Sequence, residues 1–338
     1  MVNIAVTELE FRKAESSFTR AADVGLPCVN APAEEKALAV AIRSSEARHV
    51  IIGVECYAGP LYEALPPGGV IARFGVGHDG VNKALATSKG LLCTNTPGAL
   101  DDSVAEHAVN LLLAAARHTV TVAAELRAGR WSPQLGGELQ GKTLAIIGCG
   151  AIGRRVARIA SRGLSMKVVG CEVADMNTGQ LQREFGFTSV VKAFEDAVHE
   201  ADFVSLHIPS MPQTHHFLNG DRLSRLPARC WVVNTARGAL VDEVALFDAL
   251  ATGKLAGAAL DVFEREPYEP AVVGKDLRML PRVIMTPHVG SSTREACERM
   301  ARCALQNIRL AEAGRFEEMD LLNRDVLVRL DGLKRNRS

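Results

Sequence analysis

The chain has 338 residues, of which 47% are hydrophobic and only 5% aromatic. Its 39 basic residues equal its 39 acidic ones, and this balance argues against the clustered positive charge that nucleic-acid binding requires. At about 100–200 residues per domain, the length predicts two domains.

The first hundred residues alternate short apolar runs with helical patterns. Helices are predicted at Ala33–Arg43 and Val81–Ser88. Alternation of this kind predicts a parallel sheet with helices on both faces. The predicted strands are Asn3–Val6, Pro27–Asn30, Val50–Gly53, Val70–Phe74 and Leu91–Thr94.

Two capping-box patterns flank the middle of the chain. Ser103-Val104-Ala105-Glu106 precedes the apolar run Ala108–Ala116. Ser292-Thr293-Arg294-Glu295 precedes a long helical pattern that we expect to end near Gly314. A Ser or Thr followed three residues later by Glu satisfies the free N–H groups of a helix start. We therefore expect helices to begin at both places and the chain to cross between domains there.

A glycine fingerprint lies between these two boxes. Gly148-Cys149-Gly150-Ala151-Ile152-Gly153 follows the apolar run Leu144–Ile147 and precedes a helical pattern at Arg154–Ala160. In that context the glycines predict dinucleotide binding, because they permit a tight turn and a close approach of the pyrophosphate to a helix N-terminus. Glu172 follows the next apolar run at about the ~20-residue distance of a ribose-binding carboxylate.

Polar residues then follow successive strands of the second half. Ligands of open parallel sheets gather at the carboxyl ends of strands, where the sequence places Arg237, Asp261, Glu266 and His288. A His can move a proton, a Glu can favour its charged form, and an Arg can clamp a carboxylate. The predicted strands are Leu144–Ile147, Lys167–Gly170, Phe203–Ile208, Trp231–Asn234, Ala258–Asp261 and Val283–Thr286.

Each of these residues also has an ordinary structural interpretation. Arg237 could bond a loop carbonyl, Glu266 could be a solvated loop acid, and His288 could be a histidine of a turn. His207 is a rival to His288, since it too ends a strand. Their joint placement at consecutive strand ends favours a site for hydride transfer.

The chain resembles the NAD-dependent D-isomer-specific 2-hydroxyacid dehydrogenase family. The resemblance rests on motifs that occur in family order between about residues 50 and 293. They are Arg73-Phe74-Gly75-Val76-Gly77, Asn95-Thr96-Pro97-Gly98, Val104-Ala105-Glu106, the loop Gly148–Gly153, Leu206-His207-Ile208-Pro209, Asn234-Thr235-Ala236-Arg237-Gly238, Asp261–Pro267 and Thr286-Pro287-His288.

The resemblance implies a role for each matching residue. Arg237 would bind the substrate carboxylate and carbonyl, and His288 would be the general acid/base paired with Glu266. The backbone of Gly75, Val76 and Gly77 would hold the carboxylate. His207 would be structural or near the cofactor. The residues implied to bind NAD are Val104, Gly148, Gly150, Ala151, Ile152, Gly153, Glu172, His207, Pro209, Thr235 and Asp261, the last at the nicotinamide amide.

The resemblance also implies an architecture. A flavodoxin-like substrate domain of residues 1–102 and 293–338 would be interrupted by a Rossmann-like NAD domain of residues 103–292, and the protein would be a homodimer. NAD is favoured over NADP because Glu172 would repel a 2′-phosphate, and Val173-Ala174-Asp175 offers no cation to bind one.

Two departures from the family pattern bear on the substrate. His78 stands where the family has Tyr after the glycine loop. The loop Val54–Gly59, in which Tyr57 is a candidate substrate contact, carries Glu55 and neither Arg nor Lys, although a phosphorylated substrate favours such cations. We expect a small or hydroxyl-bearing 2-oxo acid, as in glyoxylate and hydroxypyruvate reductases, in preference to 3-phosphoglycerate.

Other functions remain as alternatives. The same scaffold could serve as a non-catalytic NAD-sensing regulator, or the enzyme could be a 3-phosphoglycerate dehydrogenase. Formate dehydrogenases resemble this family but have Gln where this chain has Glu266. Phosphite oxidation has no positive sign in the sequence.

Cysteine usage and hydropathy indicate the compartment. The eight cysteines include no C-x-x-C pair, which predicts small core residues in a reducing environment, and neither disulfides nor a metal site. No apolar run reaches the about 18–20 residues of a membrane span, and no secretory signal is visible. We expect a cytoplasmic protein with neither membrane nor nucleic-acid partners.

Overall fold

The computed structural model describes residues 2–335. They form two compact units: one holds the chain up to Leu100 and again from Ser291, and the other is Asp101–Gly290. We call them the discontinuous unit and the inserted unit. Each contains its own parallel sheet, of five and seven strands respectively. The predicted fold class, two Rossmann-like parallel-sheet domains with one inserted into the other, is confirmed.

The strands of both units are short and most are fully buried. Their bounds are β1 (Ile4–Thr7), β2 (Cys28–Ala31), β3 (His49–Ile52), β4 (Val70–Arg73), β5 (Leu92–Thr94), β6 (Thr143–Ile147), β7 (Lys167–Cys171), β8 (Ser189–Val191), β9 (Phe203–Leu206), β10 (Trp231–Asn234), β11 (Gly257–Leu260) and β12 (Val283–Met285).

Helices connect the strands in both units. Their bounds are α1 (Glu8–Lys13), α2 (Glu15–Ala21), α3 (Glu35–Ser44), α4 (Pro60–Ala64), α5 (Lys83–Ser88), α6 (Asp101–Ala116), α7 (Thr119–Arg127), α8 (Ala151–Leu164), α9 (Thr178–Phe185), α10 (Phe194–Val198), α11 (Gly220–Ser224), α12 (Glu243–Ala251), α13 (Arg294–Glu312) and α14 (Val326–Arg335).

The sheet of the discontinuous unit has the order β2-β1-β3-β4-β5, with every neighbouring pair parallel. This is the flavodoxin-like order. Its central strands β1, β3 and β4 are buried along their whole length, as expected when helices cover both faces of a parallel sheet.

The sheet of the inserted unit has the order β12-β11-β10-β9-β6-β7-β8, again with parallel pairs. Counted from β6, this is the doubly wound order of dinucleotide-binding sheets with one further strand, β12. The order reverses between β6 and β9. The carboxyl ends of these two strands therefore form the crevice in which a ligand of such a sheet binds.

Two apolar cores cover the faces of this second sheet. Along β6, Leu144 and Ile146 pack with residues of α6 and α8, whereas Ala145 and Ile147 pack on the opposite face. Because successive side chains of a strand point to opposite faces, a strand buried on both sides is apolar throughout. This is why the strands were recognisable as continuous apolar runs.

The first predicted capping box is wrong. Helix α6 starts at Asp101, so Ser103 lies in its first turn and is buried. Asp101 and Asp102 favour the earlier start because negative side chains interact favourably with the amino end of a helix, and both also pair with Arg155 of α8. The chain passes between the units at Leu100–Asp101 and Gly290–Ser291, in each case two residues before the predicted boundary.

Two smaller differences concern β8 and α13. Strand β8, a half-buried edge strand of three residues that pairs with β7, was not predicted. A strand this short and this exposed has no clear apolar pattern. Helix α13 begins as expected, but its cap is Thr293, whose hydroxyl accepts from the N–H of Ala296, and Ser292 stands one residue outside.

Candidate active site

The glycine fingerprint forms the turn between β6 and α8, as its sequence context predicts. Gly148 has a φ of 98°, and a Cβ there would lie 2.6 Å from the carbonyl oxygen of His207, which follows β9. A Cβ on Gly153 would lie 2.1 Å from the carbonyl oxygen of Gly148. Glycine is therefore required at both positions, and the turn lies at the crevice between β6 and β9.

The start of α8 is open to a ligand. Gly150 is its N-cap, no side chain among the described residues caps it, and a Cβ on Gly150 would meet no described atom within 4 Å. The first N–H groups of a helix have no partner within the helix. The backbone N–H groups of Ala151 and Ile152, at the start of α8, are accordingly placed to bind phosphate oxygens.

Glu172 is held beside this turn at the end of β7. Its carboxylate accepts hydrogen bonds from the N–H of Cys149 (2.9 Å) and of Ala174 (3.0 Å). At the end of β10, the buried hydroxyl oxygen of Thr235 has no hydrogen-bond partner within residues 2–335. An open helix start, an adjacent carboxylate and an unpaired buried hydroxyl fit a dinucleotide with its pyrophosphate at α8 and a ribose at Glu172.

The two histidines that end strands have different surroundings. His207 Nε2 lies 2.9 Å from the hydroxyl oxygen of Ser205, and burial lowers the pKa of His207 to about 4. His207 is thus neutral at neutral pH and lacks the imidazolium proton that a general acid gives up. His288 Nδ1 lies 2.7 Å from Glu266 Oε2, and both side chains are about one quarter exposed, at 24% and 27%. The structure thus brings His288 and Glu266 together.

Glu266 is itself fixed, because its other oxygen accepts from the N–H of Phe263 at 3.0 Å. The turn that carries His288 is fixed by Asp261. The Asp261 carbonyl accepts from the N–H of His288 at 2.8 Å, and its carboxylate accepts from the N–H groups of Val289 (2.9 Å) and Gly290 (2.8 Å). His288 has a φ of 52°, a left-handed conformation that a non-glycine residue adopts only when its surroundings impose it.

The Asp261 carboxyl is buried, with only 1% of the residue exposed. Burial alone would raise the pKa of Asp261, but hydrogen bonds from His107, Thr286, Val289 and Gly290 outweigh burial and hold this pKa below its usual value. Asp261 therefore remains ionised and anchors the turn after β12. Its predicted contact with a nicotinamide amide stays a prediction.

His107 is a residue that the sequence reasoning missed. Its Nε2 lies 3.3 Å from Asp261 Oδ1 and 3.2 Å from the hydroxyl oxygen of Thr286. It belongs to α6, one residue after the motif Val104-Ala105-Glu106. The sequence contained no signal for it, since it stands 154 positions before Asp261, with several elements between the two.

Arg237 is presented by a turn that Asn234 shapes. The buried Asn234 side chain donates to the carbonyl of Arg237 (2.8 Å) and accepts from the N–H of Ala236 (3.0 Å). A Cβ on Gly238 would lie 1.8 Å from the carbonyl carbon of Phe263, so the turn packs backbone to backbone against the segment that leads to Glu266. Arg237 is half-buried, and its Nη1 donates to the carbonyl of Ala236 at 2.6 Å.

A second contact joins these turns. The N–H of Glu243 donates to Glu264 Oε1 (3.1 Å), and the N–H of Glu264 donates to Glu243 Oε1 (2.7 Å). Burial, followed by the charges of Glu264 and Glu266, raises the pKa of Glu243 to about 7. The sequence did not indicate this pair, because its two members lie on different elements.

In the discontinuous unit, the glycine loop after β4 is held by its own backbone. The N–H of Gly75 donates to the carbonyl of Arg73 (2.9 Å), and the carbonyl of Gly75 accepts from the N–H of Thr96 (3.0 Å). Asn95 Nδ2 donates to the carbonyl of Val76 at 2.8 Å. A Cβ on Gly75, which has a φ of 148°, would lie 2.5 Å from the Arg73 guanidinium. Hydrogen bonds thus hold Gly75 and Val76 in place, and the Arg73 guanidinium packs against Gly75.

Comparison with known proteins identifies the family. The family model described as the NAD binding domain of D-isomer specific 2-hydroxyacid dehydrogenases matches residues 109–290. A glyoxylate reductase of Thermococcus litoralis is 38% identical over 276 residues, which cover 79% of this chain and 80% of that enzyme. The chain belongs to the D-isomer specific 2-hydroxyacid dehydrogenase family.

Two further relatives agree with this membership. A hydroxypyruvate reductase of Thermotoga maritima is 39% identical over 233 residues, or 68% of this chain and 73% of that enzyme. The solved structure of the TT0316 protein of Thermus thermophilus superposes with a TM-score of 0.79 at 34% identity, covering 93% of this chain and 97% of that one. The chain is thus a D-2-hydroxyacid dehydrogenase that uses a nicotinamide dinucleotide.

The family's substrate loop takes an individual form in this chain. Tyr57, expected to touch substrate, is only 4% exposed, and its hydroxyl donates to the carbonyl of Ala33 at 3.2 Å. The structure therefore places Tyr57 in the core of the discontinuous unit, where it supports the loop. The sequence of the loop Val54–Gly59 did not reveal which side chains point inward.

Glu55 and His78 are the other unusual residues of this region. A Cβ on Gly53 would lie 2.6 Å from both Glu55 Oε2 and Glu10 Oε1, so two carboxylates flank the end of β3. His78 Nδ1 lies 2.9 Å from Lys83 Nζ and accepts a hydrogen bond from this ammonium group, which can only donate. Lys83 is a cation near the glycine loop that the sequence reasoning had not considered.

Two structural findings concern other classes of site. Among the residues that the structure describes, none of the helices is both long enough and apolar enough to cross a membrane. Over the same residues, no group of three or more His, Cys, Asp or Glu side chains is arranged to hold a metal ion.

Proposed function

We propose that the enzyme reduces small 2-oxo acids, with glyoxylate and hydroxypyruvate as the favoured substrates, to D-2-hydroxy acids with NADH. The observation that carries this proposal is the 2.7 Å contact between His288 and Glu266 at the carboxyl end of the inserted sheet. The inserted unit serves as the NAD-binding domain, and the discontinuous unit binds the acid. The names of the similar enzymes support this choice of substrates.

The roles of the residues follow from their contacts. With Nδ1 of His288 bonded to Glu266, the proton passes between the substrate oxygen and Nε2, and the Glu266 carboxylate holds the imidazole ring in the orientation that this transfer requires. Arg237 binds the substrate carboxylate and stabilises the negative charge that develops on the carbonyl oxygen. The N–H groups of Val76 and Gly77 bind the carboxylate as well, whereas the N–H of Gly75 already donates to the carbonyl of Arg73 and shapes the loop. When bound, the nicotinamide supplies or accepts the hydride.

The cofactor is proposed to bind along the crevice of the inserted sheet. Its pyrophosphate lies at Gly148, Gly150, Ala151, Ile152 and Gly153, and Glu172 bonds the ribose hydroxyls. The remaining contacts come from Val104, His207, Pro209, Thr235 and Asp261.

The preference for NAD over NADP rests on the charge at Glu172. Lys192 approaches this region, but its Nζ is paired with Asp175 at 2.7 Å, so the local charge stays negative. A steady-state comparison of NADH and NADPH tests this. A lower KM for NADPH would contradict it.

The test of the function is a screen for NADH oxidation with glyoxylate, hydroxypyruvate, pyruvate, phenylpyruvate and 3-phosphohydroxypyruvate. We expect the highest kcat/KM for glyoxylate or hydroxypyruvate. NADH binding without oxidation on any of these acids would favour the NAD-sensing alternative. A preference for the phosphorylated acid would favour 3-phosphoglycerate dehydrogenase. The family membership and the small-acid reductases among its relatives do not favour either alternative.

We also propose a cytoplasmic homodimer. Four large apolar side chains on α7 and the segment after it are exposed, at 51% (Val120), 58% (Leu126), 86% (Trp131) and 96% (Leu135). Large apolar side chains exposed along one stretch of chain are candidates for an association surface. Light scattering should give a dimer for the parent protein and a weaker dimer after Trp131→Ser with Leu135→Ser.

The eight thiols, all free, suit a reducing compartment such as the cytoplasm. Cell fractionation tests this location.

A further inference from the structure

Helix α6 packs directly against the turn that follows His288. A Cβ on Gly290 would lie 3.1 Å from Asp261 Oδ2, 3.6 Å from His107 Cδ2 and 3.8 Å from Val104 Cγ2. Val104 and His107 are three residues apart and so share one face of the helix. The turn is therefore enclosed between Asp261 on one side and α6 on the other.

The protons of this cluster can be assigned by counting donors. The hydroxyl of Thr286 has a single proton, and its 2.5 Å bond to Asp261 Oδ1 uses it, because an ionised carboxylate only accepts. The hydroxyl and the carboxylate are then both acceptors towards His107. The proton on this side must belong to His107 Nε2, which is within 3.3 Å of each oxygen.

His107 thereby fixes the orientation of the anchor of the catalytic turn. Asp261 binds the backbone of His288 and of the two residues after it, through its carbonyl to the N–H of His288 and through its carboxylate to the N–H groups of Val289 and Gly290. The left-handed backbone of His288 is unfavourable in isolation. Without the His107 donor, the carboxylate can rotate, and the turn can relax away from this conformation.

We propose that His107 is a positioning residue for the proton transfer at His288, acting through Asp261 and Thr286. The inference rests on the proposed function, in which His288 exchanges a proton with the substrate. Displacement of a catalytic group by about 1 Å can reduce turnover by about 100-fold. A partial loosening of the turn should therefore reduce kcat by about tenfold or more.

The test compares His107→Phe with His107→Gln in the full-length enzyme. Phe keeps the ring but removes the donor, whereas the Gln amide can supply an N–H near the position of Nε2. We expect His107→Phe to lower kcat about tenfold, with the KM for glyoxylate and the Kd of NADH changed less than about threefold. His107→Gln should recover most of the lost kcat. Unchanged kcat in His107→Phe would overturn the proposal.

His49→Phe provides a matched control in the other unit. His49 is fully buried, and its Nε2 lies 3.2 Å from Glu312 Oε1, so this variant also loses a histidine–carboxylate contact. It should lower thermal stability and leave kcat unchanged. If both Phe variants lose kcat to the same extent, the effect of His107 is a general structural one and the proposal is wrong.

A second measurement does not depend on turnover. Hydrogen–deuterium exchange at the amides of Val289 and Gly290 should be faster in His107→Phe than in the parent protein, and unchanged in His49→Phe. Should the parent protein reduce none of the acids, the proposed function fails, yet exchange still reports whether His107 holds the turn. If the parent protein does reduce these acids, and exchange at Val289 and Gly290 is the same in His107→Phe as in the parent, the inference about His107 is refuted and the proposed function stands.

Discussion

Both units place charged side chains at the carboxyl ends of their strands, but the two units combine these charges differently. In the inserted unit, acids meet histidines: Glu266 binds His288 and Asp261 lies beside His107. In the discontinuous unit, two acids meet, because Glu10 and Glu55 flank Gly53. An acid beside a histidine can hold a ring or support a proton transfer, whereas neighbouring acids oppose any further negative charge.

The acidic pair shows how this difference arises. Burial first, and then the nearby charge of Glu10, raise the pKa of Glu55. A hydrogen bond from the backbone N–H of Glu55 itself, and the charges of Arg73 and Lys13, only partly offset this rise. Within residues 2–335, Glu55 Oε2 has no hydrogen-bond partner. We infer that the inserted unit performs the chemistry and that the discontinuous unit selects the acid.

The largest expected effect comes from His288→Ala. General acid catalysis typically contributes about 10²–10⁴-fold, so kcat should fall by that factor with every 2-oxo acid. NADH binding, followed by fluorescence titration, should stay within about twofold, because the glycine turn is untouched. His199→Ala, at an exposed histidine after α10, is the control and should be silent. If His288→Ala keeps most of its kcat, His288 is not the general acid, and the assignment of the chemistry to the inserted unit is wrong.

The next effect concerns selection. Glu55→Lys should raise the kcat/KM for 3-phosphohydroxypyruvate, relative to glyoxylate, by about tenfold, the value of one charge-assisted hydrogen bond to a phosphate. Glu55→Gln removes the charge without adding a cation and should give a smaller gain. Identical substrate ratios in the parent and Lys enzymes would show that the acids of the discontinuous unit do not select the substrate.

The sequence predicted those parts of the site that are local. The turn at Gly148–Gly153, the strand before it and the polar residues at strand ends all depend on neighbours within a few positions. His288 and Glu266 were paired through the family resemblance, and the structure places their side chains in contact. Segments whose structure is set by adjacent residues can be recognised from pattern alone.

What the sequence missed depends on distant contacts. His107 reaches Asp261 across 154 positions, and the two N–H bonds between Glu243 and Glu264 join separate elements. The buried Tyr57 hydroxyl donates to the carbonyl of Ala33. Asp101, where α6 starts, pairs with Arg155 of another helix. Tertiary contacts of this kind override local sequence patterns, and no residue spacing in the chain predicts them.

Glu243 and Glu264 are the exception within the inserted unit, since here too acids meet. The folded protein holds the pKa of Glu243 at about 7, above the ordinary glutamate value of 4.5. Between these pH values, the folded state binds more protons than the unfolded state, so stability falls as pH rises through this window. At higher pH, the charged carboxylate is a buried cost that an uncharged amide would avoid.

The smallest predicted effect follows from this sign. Glu243→Gln should raise Tm, relative to the parent protein, by a few degrees more at pH 8 than at pH 5, since 1 kcal/mol corresponds to about 2–4 °C for a unit of this size. Glu200→Gln, at an exposed site of the same unit, should shift Tm equally at both pH values. A Tm shift in Glu243→Gln that does not depend on pH would mean that the pKa of Glu243 is not raised. Glu10 and Glu55 of the discontinuous unit would then be the one acidic pair of the two in which a pKa is raised.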